Sequence, residues 1–173
     1  MRWNDRLLFA VFALRCAGAA TLAYWLATVV GLPHPLWATV SAVIVSQDRF
    51  METRLSISGR IVGTIIGAGV AVATGVLALR LHLDITVQIA AAVAICAVVA
   101  RRWPALRVCM WTGPIVLLTA SQSGSIVMAG FHRGSEVILG VLVGGLLHLL
   151  VERILYGEPA PSGWPPGRAR RVA

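Results

Sequence analysis

The chain has 173 residues, 58% of them hydrophobic and only 13% charged. Too few polar side chains are present to cover that much apolar surface, which excludes a water-soluble domain and points to an integral membrane protein. The net charge of +8 is spread over segment ends and loops rather than gathered into a patch, so it records membrane orientation and implies no nucleic-acid partner.

Between Cys16 and Gln47 there is no Asp, Glu, Lys or Arg. As one helix that run would be about 48 Å long against a hydrocarbon core of ~30 Å, so it must fold back, and Gly31-Leu32-Pro33-His34-Pro35 is where. The first crossing is expected over about Leu7 to Val30. It reads as a retained helix and not a cleaved leader, because Arg15 interrupts the apolar core and no cleavage-site break follows. The second, Pro35 to Gln47, is short and begins with Pro in its first turn, where a missing N–H costs nothing. A charged loop, Asp48 to Ser58, leads to the third, Ile57 to Leu79. Arg80 to Asp84 forms a short turn with Asp84 placed to cap the fourth helix, Ile85 to Ala100. Arg101-Arg102-Trp103-Pro104 is a basic and aromatic corner of the kind that anchors a helix end at the interface. The fifth, about Ala105 to Ser121, contains Gly113-Pro114 and predicts a kink or break. The sixth, Gly134 to Leu155, enters with Glu136 and passes Gly140, Gly144 and Gly145 to His148.

The expected fold is therefore all-α, a polytopic membrane protein of six transmembrane helices over 1–156, followed by a disordered cytoplasmic tail over 157–173 that is rich in Pro, Gly and Arg. Arg2, Arg6, Arg49, Arg54, Arg60, Arg101, Arg102, Arg107, Arg153, Arg168, Arg170 and Arg171 fall on one side of such a topology. Only Arg80 and Arg133 fall on the other. By the positive-inside rule both termini are cytoplasmic, and His34, His82 and His132 lie outside, one per loop. A metal site built from those three would lack Cys or clustered carboxylates, and none is expected. Cys16, Cys96 and Cys109 lie in three separate apolar segments and read as small buried hydrophobes.

The halves resemble one another weakly. Trp37 to Gln47 parallels Trp111 to Gln122, and Arg60 to Gly67 has the same step as Arg133 to Gly140. The Trp-to-Arg separations, 23 and 22 residues, agree within one. Three crossings per half is an odd number, so the second half would be inverted relative to the first, as in many transporters.

On the third helix, Arg60, Gly63, Thr64, Gly67, Ala71 and Thr74 recur at steps of three and four and share one narrow small or polar face. In a bilayer that face meets protein, while Ile61, Ile65, Val72 and Val76 line the opposite side. Gly63 and Gly67, and likewise Gly140 and Gly144, are expected to pack helices closely. Arg15 and Arg60 are candidates for gripping an anion, since a guanidinium in low dielectric binds a carboxylate through two charge-assisted hydrogen bonds. Arg60, close to its helix start, has the plainer alternative of snorkelling to the surface, whereas Arg15 is deeper and more costly to leave unpaired. Trp37 offers a face for stacking on a ring or a guanidinium. Trp111 reads as packing or interface anchoring. Glu136, with Arg133 one turn before it, is a proton-relay candidate whose plainer reading is a carboxylate stabilised by the dipole of its own helix start. His148 is a second proton-carrying candidate. No nucleophile with a neighbouring base, phosphate loop or cofactor fingerprint is present, so neither an enzyme nor a cofactor is expected.

Three motifs together carry a family resemblance: Pro35-Leu36-Trp37-Ala38, Val40-Ser41-Ala42-Val43-Ile44-Val45-Ser46-Gln47, and Arg60-Ile61-Val62-Gly63-Thr64-Ile65-Ile66-Gly67. In this combination, after an Ala-rich first helix with an early Arg, the chain from about Leu7 to Leu155 resembles the fusaric acid resistance protein-like family, the integral membrane bound transporter domain of the aromatic acid exporter group. It departs at Leu36, where many members carry a second aromatic. The resemblance implies a bacterial inner-membrane protein that exports aromatic carboxylates or other small organic anions, with proton coupling, and signature positions at Trp37, Arg60, Gly63, Thr64 and Gly67. Arg15, Trp37, Arg60 and Thr64 are expected to converge on the substrate, and the lipid-embedded unit is expected to self-associate. A passive anion channel similar to the plant malate channels, or a non-transporting assembly subunit, are the rival roles.

Overall fold

The computed structural model describes residues 3–47, 50–120 and 123–156; the expected tail, and Asp48 and Arg49 of the expected charged loop, lie outside them. Among the described residues the fold is all-helical. These residues form six helices, α1 (Trp3–Val29), α2 (Pro35–Gln47), α3 (Phe50–Leu81), α4 (Ile85–Arg102), α5 (Cys109–Thr119) and α6 (Ile126–Tyr156), with a 3₁₀ turn at Pro104–Leu106 between α4 and α5.

Local chemistry explains most of the boundaries. Gly31 takes φ +77° at the end of α1, and the Leu32 N–H reaches back to the Ala27 carbonyl at 2.9 Å, the bond that closes a helix through a left-handed residue. His82 does the same for α3 at φ +50°, with Leu83 N–H on the Ala78 carbonyl at 3.1 Å. Pro35 opens α2 as expected. Asp84 caps α4 by accepting from the Thr86 N–H at 2.8 Å, and hydrogen bonding from Thr86 holds its carboxyl below the usual carboxylate range. At the Arg101–Trp103 corner the Arg102 guanidinium lies 5.4 Å from the Trp103 ring centroid.

Four boundaries differ from the sequence reading. Four helices are long and apolar enough to cross a membrane, over Phe9–Val29, Ile57–Leu81, Ile85–Arg102 and Ile126–Val151. The remaining two apolar stretches, Pro35–Ser46 and Pro104–Thr119, are only about 18 and 24 Å long by helix rise, so of the six expected crossings four are long helices and two, the second as expected and also the fifth, are short. The expected loop up to Ser58 is helical from Phe50 onward, because charge there does not prevent a helix from extending past the hydrocarbon. Likewise α6 begins at Ile126 and not Gly134, which puts His132 and Arg133 inside the helix and not in a loop. Gly124 at φ +74° and Ser125, whose Oγ accepts from the Met128 N–H at 3.1 Å, set that earlier start. Finally, α5 runs uninterrupted through Pro114. The bond Pro114 forfeits would go to Met110, only the second residue of the helix, so little ladder is lost.

The two short helices sit inside the bundle. α2 packs on α1 and α6, α5 packs on α4 and α3, and the long helices α3 and α6 meet between them. Ala19, Ala23 and Ala27 of α1, at four-residue steps, are fully buried against Ala38 and Ala42 of α2 and Val143 of α6. A second core joins Ala71, Ala92, Val116, Leu117 and Ala129. Outward, Ile65, Leu79, Val98, Phe131, Leu142 and Ile154 are each more than 60% exposed, the inverse of a soluble protein and what lipid requires.

Small residues set the spacing of these seams. A Cβ on Gly140 would collide with the Ala38 carbonyl and come within 2.7 Å of Ser41 Cβ. One on Gly144 would fall 3.0 Å from Ala42 Cα. In the other seam, Gly67 approaches Thr112 Cβ and the Cys109 carbonyl at 2.7 and 2.8 Å, while Gly63 packs on Val108 and Leu106. Gly63, Thr64, Gly67 and Ala71 are all buried, as their spacing predicts. Since both residue numbers rise together along each seam, α2 runs parallel to α6 and α3 runs parallel to α5.

Candidate functional site

The α2–α6 seam keeps one register over its length: His34 against Glu136, Ala38 against Gly140, Ala42 against Gly144, and Ser46 and His148 on a shared partner. Ser41, Ser46, Arg133, Glu136 and His148, all buried, belong to the two helices of that seam. At the Pro35 end, Pro33 and Pro35 lack N–H groups, so His34 supplies the only backbone donor in the Pro-His-Pro triplet. That donor goes to Glu136 Oε1 at 3.0 Å. Glu136 is 1% exposed. It lies ten residues inside α6 by the observed start, about 15 Å along the axis, so the dipole of its own helix does not explain it. The positive end of α2 does.

One turn before Glu136, Arg133 is 2% exposed. Its Cζ lies 4.3 Å from the centroid of the Trp37 ring, a cation–π contact in a desolvated setting. Glu136 attracts it electrostatically and Arg60 repels it, so the two guanidiniums approach one region from α3 and from α6. Two Arg133 nitrogens, Nε and Nη1, are buried with no hydrogen-bond partner among the described residues. A buried guanidinium with unused donors is unfavourable unless an anion completes it.

Arg60 does not snorkel. It is 6% exposed, ten residues into α3, and points its Nη2 to Ser41 Oγ at 3.5 Å. One turn on, Thr64 is 2% exposed and its Oγ1 has no partner among the described residues, although a helical Thr ordinarily bonds back to the carbonyl four residues earlier. Trp37, Ser41, Arg60, Arg133 and Glu136 therefore approach one region where α2, α3 and α6 meet, with Thr64 one helical turn beyond Arg60.

Arg15 is elsewhere. Its Nη2 donates to the Ser46 carbonyl at the far end of α2, nine residues and about 13 Å from Trp37 by helix rise. Its Nη1 donates to His148 Nδ1 at 2.8 Å. Arg15 thus satisfies a carbonyl that the helix end leaves without an intrahelical donor and places a cation on the negative end of α2. The expected meeting of Arg15 with Trp37 does not occur, because α2 stands between them lengthwise. His148, fully buried, shares the α2-facing side with Gly140 and Gly144. Trp111, half-exposed, faces away from the cluster. Cys96 and Cys109 are buried together, with Cys109 Sγ on the Cys96 carbonyl at 3.4 Å, and Cys16 is half-buried.

Sequence reasoning missed Arg133 and Ser41. Arg133 was hidden by treating charges as boundaries of apolar runs. The Gly124-Ser125 start signal, followed by Arg133 and Gly140 at a helical spacing, would have placed it inside the helix.

Neither the curated proteins nor the solved structures contain a match to this chain. A model of the fusaric acid resistance protein family matches residues 10–154, from the first third of α1 to the end of α6. The chain is a multi-pass membrane protein of transporter type, and it belongs to the fusaric acid resistance protein family.

Proposed function

We propose that this protein exports small organic anions, aromatic carboxylates among them, through a site formed by Arg133, Arg60, Trp37, Ser41 and Thr64. The observation that carries the reading is the buried Arg133 guanidinium, over the Trp37 ring with two donors unused among the described residues. A carboxylate is the partner such donors take most strongly. Thr64 Oγ1, also unused, adds a neutral donor one turn beyond Arg60. The site lies at the start of the short helix α2, packed inside the bundle, an arrangement by which transporters bring helix ends to mid-membrane.

Inverted symmetry supports a carrier. Shifting α2 by 74 and α3 by 73 residues turns the pairs His34·Glu136, Ala38·Gly140 and Ala42·Gly144 into Val108·Gly63, Thr112·Gly67 and Val116·Ala71. The first two shifted pairs are in close approach and the third shares a core cluster. We take the protein to be two inverted three-helix repeats in a bacterial inner membrane, termini inward, self-associated through its apolar faces. Glu136 and His148 are its proton-carrying groups, which makes export proton-coupled. The halves differ where Glu136 replaces Gly63, so the anion site is single and asymmetric.

The test is a flux screen with purified protein in liposomes, using benzoate, hydroxybenzoates and malate, with and without a pH gradient. Accumulation against the benzoate gradient when protons flow the other way supports the reading. Flux that ignores the pH gradient supports a channel, and none at all removes a transport role.

A further inference from the structure

A carboxylate already lies beside Arg133. Glu136 occupies the positive end of α2, accepts the one backbone N–H that the Pro33-His34-Pro35 triplet offers, and lies on the Arg133 side of α6, one turn away. From that geometry we infer that Glu136 is a tethered stand-in for the substrate, a resident carboxylate that an incoming organic anion displaces from Arg133 and from the α2 N-terminus. The inference rests on the anion site described above and adds what fills it when no substrate is bound.

Three features carry it. Arg133 lies over Trp37 and is attracted by Glu136, but its Nε and Nη1 have no hydrogen-bond partner among the described residues; a substrate carboxylate supplies the hydrogen bonds that Glu136 does not. The charged group that acts on Glu136 is Arg133 on its own helix, and Arg60 on α3 acts in turn on Arg133. The α1–α2 turn contributes the His34 peptide, and the His34 ring carries a buried Nε2 that also lacks a partner. Exchange of one carboxylate for another keeps the charge beside Arg133 constant, which avoids leaving that guanidinium buried and uncompensated. Glu136 moving away releases the His34 N–H, and with it the tie between the α1–α2 turn and α6. Substrate binding and loosening of that turn are thereby one event.

Hydrogen exchange reads the event directly. Pro33 and Pro35 carry no amide hydrogen, so a fragment across them reports His34. With sodium benzoate added to the purified protein, the His34 amide should exchange at least about tenfold faster, while the α3 and α4 cores stay unchanged. Glu136→Gln keeps an oxygen for His34 but loses the charge, and should bind benzoate at least about tenfold more tightly by calorimetry. Benzoate binding that is lost in Arg133→Gln but leaves His34 exchange unaltered in the wild type overturns the displacement while preserving the site. Binding that survives Arg133→Gln, or no binding to the wild type, overturns both. The exchange experiment needs no variant, so poor folding of Glu136→Gln would not blunt it.

Discussion

Gly140→Ala adds one methyl group, and the structure says where it goes: into the Ala38 carbonyl, with Ser41 Cβ at 2.7 Å and the Ala38 carbonyl carbon at 2.9 Å. Backbone cannot swing aside as a long side chain can, so α2 must move away from α6. Overpacking typically costs about 1–3 kcal/mol, and a backbone obstacle puts this case near the top of that range. Better helix propensity returns roughly 0.5–1 kcal/mol of it, leaving a net loss of about 2 kcal/mol. Gly69→Ala is the control, because a Cβ there meets nothing within 4 Å and should gain roughly 0.5–1 kcal/mol from the same propensity term. Unfolding in mixed micelles, followed by circular dichroism, should separate the two by about 3 kcal/mol. Equal stability, or a more stable Gly140→Ala, would refute the close α2–α6 seam and the site built on it.

Trp37→Ala removes the face under Arg133 and should cost about 2 kcal/mol of unfolding free energy in the same assay, the scale of a desolvated cation–π contact. Arg15→Gln loses a cap on α2 and should destabilise by about 1–2 kcal/mol while leaving benzoate affinity within about twofold; a much larger loss of affinity would return Arg15 to the anion site. His82→Gly relieves a left-handed non-glycine residue at the end of α3 and should raise stability by about 1 kcal/mol, with no effect on flux. Cysteines at 82 and 102 should label from opposite faces of intact cells, 82 from outside; reversed labelling means the Arg asymmetry was misread.

The small face of α3 was legible because Gly63, Thr64, Gly67 and Ala71 advertise helical period and small size together, and a bilayer leaves such a face only one use. Pro35 and Asp84 likewise act through chemistry local to their own turns. Arg133 was not legible by the same means. A charge in an apolar sequence marks a boundary when it snorkels and a site when it is buried, and only the tertiary partner, here Trp37 some hundred residues away, decides which. The same ambiguity misplaced Arg15: its depth correctly demanded a partner, but the partner is the Ser46 carbonyl, a backbone group that no side-chain pattern reveals. Glu136 was read against its own helix, and its true positive end belongs to α2.

Benzoate flux in liposomes holding equal amounts of wild-type, Arg133→Gln and Arg15→Gln protein tests the central claim. Losing charge-assisted hydrogen bonds worth about 1.5–3 kcal/mol corresponds to roughly 10- to 100-fold. The account predicts a fall of that size in Arg133→Gln and near wild-type flux in Arg15→Gln. Undiminished benzoate flux in Arg133→Gln would contradict it.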